Sequence, residues 1–273
     1  MKLTLEKDGR RYSFQTEKGK DISIALTPNG PRAWYVDPMR IEPVRTEQFL
    51  GSVAEGGAVN FRDVYFNPHG HGTHTENVGH IIDTEVPVVR SIGSSHYMAK
   101  LVTVVLMRQD VSQGLTEGAS QDLPQDLSQN LETEVSEPDW VVNEESLFGI
   151  DLTVEALIIR TEPNDHSKTK RQYSGTNFPY LTIGAMQCII DAGVKHLLID
   201  LPSVDREEDG GALAAHHLFW NVPAEPNFQK TITELIYVPS EISDGNYILN
   251  LQVSNFANDA APSRPMLFDL TEE

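Results

Sequence analysis

At 273 residues the chain can bury one sizeable core, and a single domain over 1–273 is the working expectation. Its 40 acidic residues against 21 basic ones give a net charge of −19, a surface that would repel nucleic-acid phosphates and anionic lipid headgroups. A lone cysteine, Cys188, allows no intramolecular disulfide, and no apolar run reaches the roughly 18 residues of a membrane helix; with charge breaking up the N-terminal apolar residues, a reducing cytoplasm is expected.

Alternating apolar and polar residues on either side of Asp8-Gly9 predict a β-hairpin from Leu3–Leu5 and Tyr12–Gln15. A third strand is expected at Asp21–Leu26, before the turn Pro28-Asn29-Gly30-Pro31. Two more follow at Val86–Val89 and Met98–Leu106, the second rich in β-branched residues that suit a buried sheet. From 109 to 139 there are eight acidic residues, no Lys or Arg, and Ser-Gln-x-Leu beginning at Ser112, Ser120 and Ser128. So short a polar repeat predicts an acidic loop insertion rather than a solenoid. Beyond it a strand at Leu152–Arg160, a helix at Tyr180–Ala192 closed by Gly193, and a buried strand at His196–Leu201 predict a right-handed parallel βαβ unit. Active groups would then gather beyond the strand ends, after Asp200. Strands at Thr231–Val238 and Tyr247–Val253 complete the sheet.

The densest chemistry lies in Asn67-Pro68-His69-Gly70-His71-Gly72-Thr73-His74-Thr75-Glu76-Asn77-Val78-Gly79-His80, where four of the nine histidines fall within twelve residues. Imidazole nitrogens and carboxylate oxygens are ligands that Zn²⁺, Mn²⁺ and Fe²⁺ share, and glycines let a loop bend so that neighbouring side chains converge on one ion. His96, His166 and His196, standing singly, read as ordinary hydrogen-bonded histidines.

Gly72-Thr73-His74-x-Glu76-x-x-x-His80 resembles the HxGTHxDxPxH signature of the cyclase family of metal-dependent hydrolases, which includes bacterial kynurenine formamidase (arylformamidase). Ile22-Ser23-Ile24 is similar to that family's early strand, Thr176-Asn177-Phe178-Pro179 with Leu181-Thr182 to its TDxPxLT stretch, and Ala192–Lys195 with Ile199–Asp205 to its GVKxxGIDTPSVD run. The resemblance implies an α/β fold of the swivelling β/β/α type, with a mixed sheet and packed helices. It implies one or two divalent ions, Zn²⁺ first and Mn²⁺ second, and a homodimer or higher homo-oligomer acting on a small-molecule substrate. Carried over by position, His74 and Glu76 are ligands, His80 is the catalytic acid/base, and His216 with Glu234 form a second site.

The family's first histidine falls where this chain has Gly70, flanked by His69 and His71. His69 is preferred, because Pro68 fixes the chain before it and Gly70 frees it after; His71 is the alternative. Glu76 replaces the usual aspartate, moving the carboxylate by about 1.5 Å, roughly one bond length. His217 competes with His216. The resemblance implies hydrolysis of an amide-type bond, with an N-formyl arylamine such as N-formylkynurenine as the favoured substrate, a cyclic amide or lactone as the alternative, and Trp34, Tyr35 or Phe66 as candidate aromatic walls. Three rivals stand beside it: a thiol hydrolase using Cys188, which otherwise reads as a small buried hydrophobe; a non-catalytic metal-stabilised protein; and an interaction protein whose tail is the acidic repeat.

Overall fold

The computed structural model describes residues 1–7, 9–109 and 138–273; apart from its two ends, the acidic 109–139 insertion lies outside the described residues. The chain opens with a hairpin, β1 (Lys2–Lys7) and β2 (Arg10–Gln15), and passes through β3 (Lys20–Asp21) into an antiparallel ribbon, β4 (Arg40–Pro43) with β5 (Arg62–Tyr65). Then come β6 (His74–Glu76), β7 (His96–Val105), β8 (Met107–Gln109), β9 (Asp139–Val142), β10 (Ala156–Glu162), β11 (Tyr180–Leu181), β12 (His196–Ile199), β13 (Thr231–Glu234), β14 (Gly245–Asn250), β15 (Ala260–Pro262), β16 (Met266–Asp269) and β17 (Thr271–Glu272). Two α-helices are described, α1 (Ile183–Asp191) and α2 (Ala214–Phe219).

Nine strands form one mixed sheet in the order β15-β6-β13-β12-β10-β7-β14-β16-β3. Its centre, β7, β10, β12 and β13, is parallel, and the flanking strands are antiparallel. The central strands carry near-continuous apolar runs, Ala156–Ile159 and Leu197–Ile199, because both faces of the sheet are covered. One face packs Leu157, Leu197 and Ile232 beneath α1 and α2; the other packs Tyr97, Leu101, Ile158 and Leu198.

The expected βαβ unit is present as β10, α1 and β12, with β10 and β12 parallel in register. Thr182 starts α1 by accepting from the Ala185 N–H (3.1 Å), and Gly193, at φ +81°, follows its end. Since β10, β12 and β13 run the same way, their C-terminal ends share one sheet edge, and Glu234 sits at that edge as the last residue of β13. Leu235 then takes φ +52° and ends the ladder, so the run expected to reach Val238 stops at Glu234.

Three other expectations are corrected. Val86–Val89 is not a strand: after Pro87 the chain coils into a 3-10 turn, Val88–Arg90, and the Val88 N–H donates to the Asn258 carbonyl (2.9 Å). Asp21–Leu26 contributes only the end of β3 and an isolated bridge from Ser23 to Ile236. Cys188 is exposed, because α1 buries Ala185, Met186 and Ile189 and position 188 falls on the opposite side of that stripe. Among the described residues no helix is long and apolar enough to cross a membrane.

A candidate metal centre

The segment Asn67–His80 is built by local hydrogen bonds and one strand. Asn67 Oδ1 accepts from the backbone N–H groups of His69 (2.9 Å) and Gly70 (3.1 Å), folding an Asx turn that lifts His69. Gly70 is glycine for space, since a Cβ there would lie 2.7 Å from Val36 Cγ2. Gly72 takes φ +85°. Thr73 Oγ1 accepts from Ile24 N–H (2.7 Å) and donates to the Leu235 carbonyl, fastening the loop to two neighbours.

From His74 to Glu76 the chain is no loop, contrary to the sequence reading, but a buried strand paired on both edges: His74 lies opposite Glu234, and Glu76 opposite both Ile232 and Ala260. Two-residue spacing puts the His74 and Glu76 side chains on one face, while Thr75 on the other meets Thr233 Oγ1 at 2.8 Å. Asn77 Oδ1 accepts from Gly79 N–H (2.9 Å) and caps the 3-10 turn Val78–His80, which swings His80 back toward Glu76. His216 arrives on α2, whose first turn is capped by Asp205: its carboxylate accepts from the N–H groups of Ala215 (2.7 Å) and His216 (3.1 Å).

The other four predicted ligands, His69, His74, His216 and Glu234, and His80 are thereby gathered around Glu76. His69 Nδ1 lies 2.9 Å from Glu76 Oε2, His216 Nε2 3.1 Å from Glu76 Oε1, and His74 Nε2 3.4 Å from Glu234 Oε2; Glu234 Oε1 lies 3.9 Å from His216 Nε2. His80 Nδ1 stands 3.9 Å from Glu76 Oε2, with a quarter to a third of its side chain open to solvent. His71 is not among them. Its Nδ1 accepts from Asn67 N–H (2.8 Å) and its Nε2 faces the Asp37 carbonyl (2.7 Å), so both ring nitrogens are committed to backbone. His217, next to His216, points about 100° away round the helix.

Two carboxylates that sequence reasoning did not assign complete the arrangement. Asp259 Oδ2 accepts from His69 Nε2 (2.9 Å) and lies 3.5 Å from His80 Nδ1. Asp205 Oδ2 accepts from His216 Nδ1 (2.6 Å). Together with the His74 Nδ1 contact to the Gly72 carbonyl (3.1 Å), these tie the outer nitrogen of each of three imidazoles. The inner nitrogens, His69 Nδ1, His74 Nε2 and His216 Nε2, are left facing Glu76 and Glu234, the orientation that outer hydrogen bonds impose on metal-binding histidines.

The electrostatics follow from this crowding. Burial opposes charge on His69, yet the Asp259 and Glu76 carboxylates outweigh it and push the ring up to about 10. Burial likewise opposes charge on His216, and Asp205, Glu76 and Glu234 push it up to about 10. Glu76 resists its own burial and stays well below the usual carboxylate range because His80, His216 and His69 surround it. Hydrogen bonds from His69 and His80 hold Asp259 low.

The donor set fits a divalent cation. Among the described residues His74 Nε2 and Glu76 Oε2 are buried without a hydrogen-bond partner, with His69 Nδ1 2.9 Å from Glu76 Oε2 as an ion-pair contact. Two bare acceptors in one dry cluster would cost several kcal/mol if nothing bonded them. His69, His74 and Glu76 form one group whose ligand atoms lie within 4.8 Å of one another, and Glu76, His80 and His216 another. Mixed imidazole and carboxylate donors suit zinc, manganese or ferrous iron.

The sequence profile of the family described as "Putative cyclase" matches residues 20–206, more than half of the chain. The chain belongs to that cyclase family. No curated protein matches it. Solved structures share the fold at low identity. A predicted metal-dependent hydrolase from Bacillus stearothermophilus is 14% identical, with a TM-score of 0.59 over 92% of this chain and 98% of that one. An isatin hydrolase bound to thioisatinate is 12% identical, with a TM-score of 0.60 over 93% of each. Isatin hydrolase A from Ralstonia solanacearum is 14% identical, with a TM-score of 0.59 over 93% of this chain and 92% of that one.

Proposed function

We propose that this cyclase-family chain is a metal-dependent hydrolase of N-aryl amides, with an N-formyl arylamine such as N-formylkynurenine as the favoured substrate. The observation that carries the reading is the convergence of His69, His74, Glu76 and His216, with Glu234 against His74 and His216, and with His74 Nε2 and Glu76 Oε2 buried and unpartnered among the described residues.

His69, His74 and Glu76 would hold a first divalent ion, and Glu76, His216 and Glu234 a second; zinc is favoured and manganese is the alternative. When bound, such an ion acidifies a water and polarises a carbonyl oxygen. The remaining work falls to the protein. His80, at the rim of the cluster, takes the proton of the attacking water and returns it to the leaving nitrogen. Asp259, 3.5 Å from its Nδ1, steadies the imidazolium between those two transfers. Asp205, Asp259 and the Gly72 carbonyl keep three imidazoles in the tautomer that presents a lone pair inward.

A second reading, a cyclic aryl amide as substrate, is favoured by the isatin hydrolases among the structural neighbours. Isatin and N-formylkynurenine share an aryl-nitrogen amide, so one assay pair separates them. Turnover of either substrate, lost on chelation and restored by Zn²⁺ or Mn²⁺, is the expected result; no hydrolysis of either, or turnover that survives complete chelation, would refute the proposal.

A further inference from the structure

Beyond the carboxyl ends of the parallel strands lies a cavity of about 730 Å³, within the size range of small-molecule sites. Val105, the last residue of β7, Glu162, the last of β10, and Leu201, two residues past β12, all line it. In open α/β sheets this is the end at which ligands bind. The lining includes none of the histidines or carboxylates of the metal cluster. β12 stands between β10 and the β13 strand that carries Glu234, so those two strands are two spacings, roughly 10 Å, apart.

Leu106, Trp140, Pro163, Phe178, Pro179 and Leu201 give the cavity flat apolar walls. Three polar groups interrupt them, and among the described residues each has bonding capacity left over. Tyr173 is 2% exposed, yet its hydroxyl meets no partner; burial pushes that hydroxyl up, so it stays protonated and can donate. Arg171 uses only Nη2, on Ser167 Oγ (3.0 Å) and Asp165 Oδ2 (3.3 Å), which leaves Nε and Nη1. Glu162 uses only Oε2, which accepts from Asn164 N–H (2.9 Å). Lys168 also lines the cavity, but its three donors go to Asp200 and Thr161.

We infer that this cavity is a second small-molecule site and that its ligand is an aromatic α-amino acid. The apolar walls take the ring. Arg171 and the Tyr173 hydroxyl donate to the carboxylate, and Glu162 accepts from the ammonium group. A plain aromatic acid suits the site less, because Glu162 lines the same space and the chain's charge of −19 repels an anion, whereas a zwitterion is neutral at range. An aromatic amine lacks the carboxylate and leaves Arg171 and the buried hydroxyl unanswered.

Calorimetric titration of the metal-loaded chain with three probes tests this: L-phenylalanine, 3-phenylpropionate, which lacks the ammonium group, and phenethylamine, which lacks the carboxylate. L-phenylalanine should saturate one site per chain and bind more tightly than either analogue. Arg171→Met should weaken it by about 10-fold or more, as loss of a charge-assisted hydrogen bond does, and Tyr173→Phe should weaken it by less. Glu162→Gln should weaken L-phenylalanine yet tighten 3-phenylpropionate by removing a repulsion, a reversal that a damaged fold would not produce. Metal content and melting temperature establish that each variant is folded. No saturable binding of L-phenylalanine into the millimolar range would overturn the inference. So would an affinity indifferent to both Arg171→Met and Glu162→Gln, the result for an amino acid chelated at the metal cluster.

Discussion

Among the described residues, the buried Lys168–Asp200 pair and the buried cluster around Glu76 differ in how far each satisfies itself. Lys168 Nζ spends its three donors on Asp200 Oδ2 (2.8 Å), the Thr161 carbonyl (2.7 Å) and Thr161 Oγ1 (2.9 Å), while Asp200 also accepts from Thr161 N–H (2.9 Å) and Oγ1 (3.0 Å). Every polar group there answers another, and the network fastens β10 to β12 just past their last paired residues. Around Glu76 the same kind of burial leaves His74 Nε2 and Glu76 Oε2 with nothing to bond. A cluster that satisfies itself is a structural tie; one that aims lone pairs inward is built for a cation.

The contrast can be broken most sharply at its centre. Glu76→Gln should cost metal affinity more than the roughly 10–100-fold typical of an outer partner, and turnover should collapse with it; calorimetric titration with Zn²⁺ and a formanilide assay measure the two. Lys168→Met should have the opposite profile. An Asp200 left buried and unpaired should cost about 3–5 kcal/mol of stability, read from urea unfolding, while metal content stays unchanged.

Asp205→Asn should weaken metal binding by about 10–100-fold with the fold retained, because an amide cannot hold His216 in one tautomer as a carboxylate does. His80→Ala should keep the metal and lose most turnover; full activity would remove His80 from the mechanism.

The smallest effect is in pH. In the metal-stripped protein His69 and His216 titrate near 10 against an unfolded value near 6.5. Their pairing with carboxylates therefore stabilises the fold fully below about 6.5 and is lost as pH rises toward 10. Metal binding needs those rings neutral, so Zn²⁺ uptake should tighten across the same window; thermal melts with and without Zn²⁺ at several pH values would show the two trends crossing.

How much of this was legible in the sequence follows from range. His69, His74, Glu76 and His80 lie within twelve residues, so their convergence needed only a turn and a strand, and the parallel β10–α1–β12 unit followed from apolar periodicity. Asp259 was invisible because it sits in a polar stretch 183 residues beyond Glu76. It reaches the site only because β15 pairs with β6 and because Asn77 N–H holds the Asp259 carbonyl (3.1 Å). The Val86–Val89 error has the same root: a short β-branched run after proline suits a 3-10 turn as well as a strand, and here that turn anchors the loop carrying Asp259. Asp205 belonged to a run that resembles the family, but only the start of α2 reveals that it orients His216.

The most direct test is elemental analysis of the purified protein alongside a Zn²⁺ titration of the chelated form, followed by melting temperature. Saturable uptake of one or two ions per chain, with a rise in melting temperature that Glu76→Gln abolishes, is what the unanswered lone pairs require. A protein that takes up no divalent ion, or that binds it equally well without the Glu76 carboxylate, would contradict the account.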